Sequence, residues 1–205
     1  MSDTLLAEYQ RRHDEVLRPI AAALEILIRG HLDGVAHIDR VTARAKRPDR
    51  FVAKARKTDD QGRPRYNEPF VQIQDLVGAR VVVFYKNDIA PTEEILRQYL
   101  SPIELQTHVP DSEWKFGYFG RHFIMALPKD AVPAEIDLSN APRFFELQLK
   151  TLFQHAWSEA EHDLGYKAPE ELGPDQQRRL AFTSAQAWGA DEVFEDLVAE
   201  LAPTS

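Results

Sequence analysis

The chain has 205 residues, 43% hydrophobic and 28% charged, with a formal net charge of −8 and no cysteine. That length suits one substantial domain with a helical extension; the lack of thiols excludes disulfides and thiolate metal sites and makes a cytoplasmic location the default. No stretch approaches the roughly 18 apolar residues of a membrane span, the N-terminus lacks the pattern of a signal peptide, and the acid excess counts against nucleic-acid binding by the whole surface.

Leu5, Leu6, Tyr9, Val16, Leu17, Ile20, Leu24, Leu27 and Ile28 recur at steps of three and four, which predicts one long amphipathic helix over residues 4–29. Ser2, Asp3 or Thr4 would cap it, Pro19 would kink or split it, and Gly30 would end it. Residues 35–41 are ambiguous. A basic island follows: Arg40, Arg44, Lys46, Arg47, Arg50, Lys54, Arg56, Lys57, Arg63 and Arg65 are opposed only by Asp49, Asp59 and Asp60. Arg50, Lys54 and Lys57 fall on one helical face, where like charges repel. They form either a solvated basic face or a site where an anionic ligand relieves the repulsion.

Residues 58–69, with Gly62, Pro64 and Pro69, read as a mobile loop. Arg80–Tyr85 is β-branched and apolar enough for an interior strand. Asp75 and Gly78 stand at its entrance, the glycine permitting a positive φ or a close backbone approach. A short helix over 92–100, a strand over 103–109, an aromatic loop over 114–120 whose Tyr118 is either exposed, where it could stack on a base, or part of a hydrophobic plug, and a strand over 122–127 come next. Residues 128–142, with Pro128, Pro133 and Pro142, read as a loop. The last helical region spans 175–201, bent or divided at Gly189.

The stretch 144–162 organises the rest. Its first half reads as a strand with Phe144, Glu146 and Gln148 on one face and Phe145, Leu147 and Leu149 on the other. Its second half reads as a helix entered at Thr151. Glu146 is a carboxylate among aromatics, which calls for a partner, a metal or an edge strand facing water. Asp75 and Glu146 are the metal-binding candidates, because Mg²⁺ takes one or two carboxylates plus phosphate oxygens and water. With the basic island they make a kit for transfer from a nucleoside triphosphate, and no Walker-type loop or protein-kinase signature is present. His155, Glu159 and His162 share a helical face; structural hydrogen bonding is favoured there over a metal cluster.

Asp75-Leu-Val-Gly-Ala-Arg80-Val-Val, Gly117-Tyr118-x-x-x-His122, and Glu146-Leu-Gln148-Leu-Lys-Thr151 followed by Trp157, Glu161-His162 and Tyr166-Lys167 resemble, in order, the synthetase domain of the RelA/SpoT family. Arg44-x-Lys46, with Lys54 eight residues on, resembles that family's basic motif. The similarity runs from about residue 35 to 200. It implies an α+β fold, a mixed sheet flanked by helices and related to nucleotidyltransferases, with an N-terminal helical segment (1–34), a catalytic core (35–170) and a C-terminal helical extension (171–205). It further implies a small alarmone synthetase without the hydrolase and regulatory domains of long members, transferring pyrophosphate from ATP to the 3′-hydroxyl of GDP or GTP. Asp75 and Glu146 would bind Mg²⁺, with Glu146 also activating the acceptor hydroxyl. Arg44 and Arg80 would sandwich the adenine, Lys46, Lys54 and His122 would hold donor phosphates, Tyr118 would stack on the acceptor base, and Gln148 would support the acceptor site. A homo-oligomer through the terminal helices is implied as well.

Some members resembling this chain instead modify the 3′ end of tRNA or make adenosine alarmones, and an inactive nucleotide-binding module and an antitoxin partner are further alternatives. The chain departs from the family pattern at Arg50, where Ser is usual, at Phe119-Gly120, where Arg-Ser is usual, and at Lys150, where Arg is common.

Overall fold

The computed structural model describes residues 2–106, 117, 118, 120–167 and 172–201. Helix α1 (Ser2–Arg12) passes through a π-helical turn (His13–Leu17) into α2 (Arg18–His31). Pro19 explains the joint. It sits in the first turn of α2, where its missing N–H needs no partner, while the Arg18 amide donates to the His13 carbonyl in a widened turn. The predicted single helix is therefore two, and it runs past Gly30, whose surroundings are open, to His31.

Strands β1 (Ile38–Ala45), β2 (Val77–Val83), β3 (Pro102–Gln106), β4 (Arg121–Ala126) and β5 (Phe144–Thr151) form one sheet in the order β1-β2-β5-β4-β3. β2 and β5 are parallel and the other neighbours antiparallel, so the sheet is mixed. β5 lies in the middle, which removes the edge-strand reading of Glu146. β1 takes in residues 38–41 of the ambiguous segment and the start of the basic island. β3 covers the first part of the expected strand over 103–109; residues 107–109 lie outside the described residues.

Alternation divides the sheet into two faces. Val41, Ala79, Val81, Phe123, Met125, Phe145, Leu147 and Leu149 turn one way and join Ile20, Leu24 and Ile28 of α2, and Leu96 of α5 (Ile89–Tyr99), in one core. The N-terminal helices thus share the hydrophobic core of the strands. Each large side chain so buried contributes about 1.5–3 kcal/mol relative to exposure. Tyr9 of α1 is fully buried; its ring stacks on Phe51 of α3 (Pro48–Ala55) at 3.8 Å, and its hydroxyl donates to the Lys46 carbonyl at 2.8 Å. That contact fixes the basic segment against the core.

Residues 58–69 are more structured than expected. Arg65 donates its amide to the Lys57 carbonyl, and the Asp59 carboxylate accepts from the Gln61 and Arg63 amides and the Arg63 guanidinium. The single-turn helix α4 (Pro69–Gln72) follows. Thr151 opens α6 (Leu152–Lys167) in a reciprocal capping box: the Gln154 amide donates to Thr151 Oγ1 at 3.1 Å, and the Thr151 amide to Gln154 Oε1 at 2.9 Å. Helix α7 (Pro174–Leu201) runs unbroken through Gly189, since one glycine in a helix costs only about 1 kcal/mol.

Candidate active site

Sheet register assembles the polar face. Arg44 faces Gly78, and Gly78 faces Glu146; one row on, Thr42 faces Arg80, Arg80 faces Gln148, and Gln148 faces His122. Facing residues on neighbouring strands share a face of the sheet. Asp75 lies just before β2 and Lys46 just after β1, where the Lys46 amide donates to the Leu76 carbonyl at 2.8 Å.

Arg44, Lys46, Asp75, Gly78 and Glu146 border a cleft of about 440 Å³, lined also by Arg47, Arg50, Lys54, Lys57 and His162 among others; His122 lies behind Glu146 and lines neither this cleft nor its smaller neighbour. A smaller cleft of about 100 Å³ shares Arg44, Gly78 and Glu146 with it and adds Thr42, Arg80 and Gln148. Gly78 has no positive φ; its use is the space it leaves between Arg44 and Glu146, where an added Cβ would meet only the Glu146 carbonyl oxygen, at 3.9 Å.

Asp75 accepts from Lys46 Nζ at 2.6 Å and lies 3.0 Å from Lys54 Nζ. Burial opposes its ionisation, but the two ammonium groups prevail and hold its carboxyl below the usual range. Glu146 accepts from Gln148 Nε2 at 3.0 Å and lies 3.3 Å from His122 Nδ1. Burial pushes its carboxyl up; His122 and Gln148 outweigh this and the repulsion from Asp75, so it too is lowered. Both groups stand as carboxylates at neutral pH, close enough to feel one another. Two acidic oxygen donors beside a strongly basic cleft suit a hard cation that shares its shell with phosphate.

Arg80 is held by three side-chain contacts above the sheet's polar face. Its Nε donates to Gln148 Oε1 at 3.2 Å, and its Nη1 to His155 Nδ1 at 3.0 Å and Glu159 Oε1 at 2.6 Å. Gln148 therefore bridges Arg80 and Glu146. His155 and Glu159 serve structural hydrogen bonding, and among the described residues no group of three or more His, Cys, Asp or Glu is arranged to hold a metal. The same helical spacing brings His162 to the cleft, a placement that sequence reasoning missed. Arg50 and Lys54 of α3 and Lys57, which lies just past the helix end rather than on its face, border the cleft together.

Tyr118 takes the buried of its two alternatives. It is buried, only 8% exposed, and its hydroxyl donates to Asp191 Oδ2 at 2.6 Å; Thr151 Oγ1 donates to the same oxygen at 2.5 Å. An amphipathic ring beside a buried carboxylate on α7 satisfies both its apolar body and its polar tip this way. Tyr118 is not among the residues lining either cleft.

A mixed α+β sheet presenting two carboxylates to a cation-lined cleft defines a protein built to handle a phosphorylated ligand. The chain belongs to the RelA/SpoT family: the family model described as the region found in RelA/SpoT proteins matches residues 43–171. It is 25% identical over 174 residues to GTP pyrophosphokinase YjbM of Bacillus subtilis, covering 82% of this chain and 76% of that protein. A GTP pyrophosphokinase family protein from Streptococcus pneumoniae has the same fold, with a TM-score of 0.73 and 22% identity over 95% of this chain and 94% of that one. So does small alarmone synthetase 1 of Bacillus subtilis bound to its product pppGpp, with a TM-score of 0.70 and 22% identity over 89% of this chain and 93% of that one. Among the described residues no helix is long and apolar enough to cross a membrane.

Proposed function

We propose that the chain transfers pyrophosphate from ATP to the 3′-hydroxyl of GDP or GTP, giving AMP and a guanosine alarmone. The observation that carries this reading is the pair of ionised carboxylates, Asp75 and Glu146, at the wall of a cleft with six lysines and arginines. In the step, the 3′-oxygen bonds to the β-phosphorus of ATP, the bond from that phosphorus to the oxygen bridging to the α-phosphorus breaks, and AMP leaves with the bridging oxygen. The hydroxyl proton passes to Glu146, which His122 and Gln148 orient.

Asp75 and Glu146 would hold Mg²⁺, which when bound neutralises phosphate charge during transfer. Lys46 and Lys54, now on Asp75, are within reach of phosphates entering the cleft, and Arg44 and Arg80 flank the smaller cleft where the adenine would lie. Tyr118 would stack on the acceptor base only after leaving Asp191. Self-association through the terminal helices is supported by the exposed Phe182, Val193, Phe194, Leu197 and Leu201 of α7.

An acceptor screen tests the reading. Purified protein, γ-labelled ATP and Mg²⁺ are incubated with GMP, GDP, GTP, ATP or bulk tRNA. Label entering GDP or GTP supports it; label entering only tRNA or adenine nucleotides, or no transfer at all, overturns it.

A further inference from the structure

The Arg80 guanidinium is a flat group with five N–H donors in its plane. Three contacts tie it down, from two different elements: Gln148 on β5, and His155 and Glu159 on α6. His155 and Glu159 are four residues apart, one turn of the same helix face. The Arg80 side chain is 16% exposed, while that of Glu159 is half exposed at 50%. Burial and the neighbouring Arg80 charge hold His155 below its ordinary pKa, so its ring is neutral and free to accept at Nδ1. All these contacts are made through N–H groups at the edge of the guanidinium, and Arg80 lines the smaller cleft. A face is what an aromatic base stacks on.

We propose that His155 and Glu159 are positioning residues that fix the plane of Arg80 for the base of the donor nucleotide. This rests on the reading of Arg80 as a residue of the ATP site. Glu159 makes the inference sharp, because its two physical effects oppose each other. Its charge repels the polyphosphate, so electrostatics alone predicts tighter ATP binding once it is removed. Its hydrogen bond keeps a flexible arginine in one rotamer, so positioning predicts weaker binding. Immobilising such a side chain on binding costs about 0.5–1.5 kcal/mol, equivalent to roughly a two- to tenfold change in affinity.

The test is the steady-state KM for ATP and kcat of the full chain, read as AMP formation with saturating acceptor, for Glu159→Ala, Glu159→Gln, Arg80→Ala and the Arg80→Ala/Glu159→Ala double variant. Positioning predicts that Glu159→Ala raises the ATP KM roughly two- to tenfold with kcat changed by less than about twofold. Glu159→Gln, which keeps an acceptor oxygen at the same reach, recovers most of that loss. In the Arg80→Ala background Glu159→Ala adds nothing. If Arg80→Ala raises the ATP KM while Glu159→Ala leaves it unchanged or lowers it, the positioning role is overturned and the reading of Arg80 survives. If Arg80→Ala leaves the ATP KM unchanged, the reading of Arg80 fails and the positioning role fails with it.

Discussion

Gly120→Ala gives a quantitative test of how β4 enters the sheet. A Cβ at residue 120 would stand 2.5 Å from the Leu149 carbonyl oxygen and 3.2 Å from Lys150 Cβ, and would also overlap Lys150 Cγ. Ordinary carbon contacts sit near 3.5–4.0 Å, so the shortfall against the carbonyl is about 1 Å. The carbonyl cannot retreat easily, because β5 is paired on both sides, with β2 and β4. Lys150 cannot swing away at no cost either: it is 4% exposed and donates from Nζ to Ser158 Oγ at 3.0 Å. Overpacking of this kind costs about 1–3 kcal/mol, with the upper half expected here because backbone is involved. For a chain of this size that lowers the melting temperature by about 2–12 °C. Thermal unfolding followed by circular dichroism reads it directly, and urea midpoints at unchanged slope separate stability from a change in the unfolded state. Gly120→Ala/Lys150→Ala should recover only part of the loss, since the carbonyl overlap remains. A Gly120→Ala protein that melts within about 1 °C of the parent would refute the steric reasoning.

Gly78→Ala should behave in the opposite way: its nearest new neighbour is at ordinary contact distance, so stability should hold or rise by about 0.4–1 kcal/mol, while the methyl between Arg44 and Glu146 raises the KM for ATP, measured as AMP release. Glu146→Gln should lower kcat by about 10²–10⁴-fold at unchanged circular dichroism, and near-normal turnover would remove Glu146 from the chemistry. The Asp75 ion pairs give a signed pH dependence. Its folded pKa lies below the ordinary value of 3.8, so the unfolded chain takes up the proton first as pH falls. The stability from Lys46 and Lys54 is thus fully present above that value and is lost as pH falls through the folded pKa. Urea unfolding of Asp75→Asn and the parent should differ most at neutral pH and converge in acid. Tyr118→Phe should cost about 1.5–3 kcal/mol, because it removes a buried hydrogen bond to a carboxylate, yet should spare acceptor use because the ring remains.

Much of the site was legible because its residues carry local signals. Asp75 before an apolar strand, Glu146 within one, and Arg50, Lys54 and Lys57 at helical spacing are visible in sequence, and the structure brings them to one cleft. Sheet order was not legible, since nothing local tells that β2 and β5 lie side by side and parallel, which is what places Gly78 between Arg44 and Glu146. The contact of Gly120 with Lys150 has the same character: two departures from the family pattern thirty residues apart meet across a strand pair. Tyr118 stayed open between exposure and burial because an aromatic between glycines suits either, and its acceptor, Asp191, comes from a helix over seventy residues away. Pro19 was read correctly as a break, but periodicity does not reveal that a π-helical turn absorbs it.

The measurement that tests the central claim most directly is the ³¹P NMR spectrum of a reaction containing the protein, ATP, GDP and Mg²⁺. The account predicts AMP and a guanosine carrying a 3′-pyrophosphate, formed one for one, with both lost in Glu146→Gln. ADP in place of AMP would mean transfer of a single phosphoryl group, and free pyrophosphate with AMP would mean hydrolysis; either would contradict it.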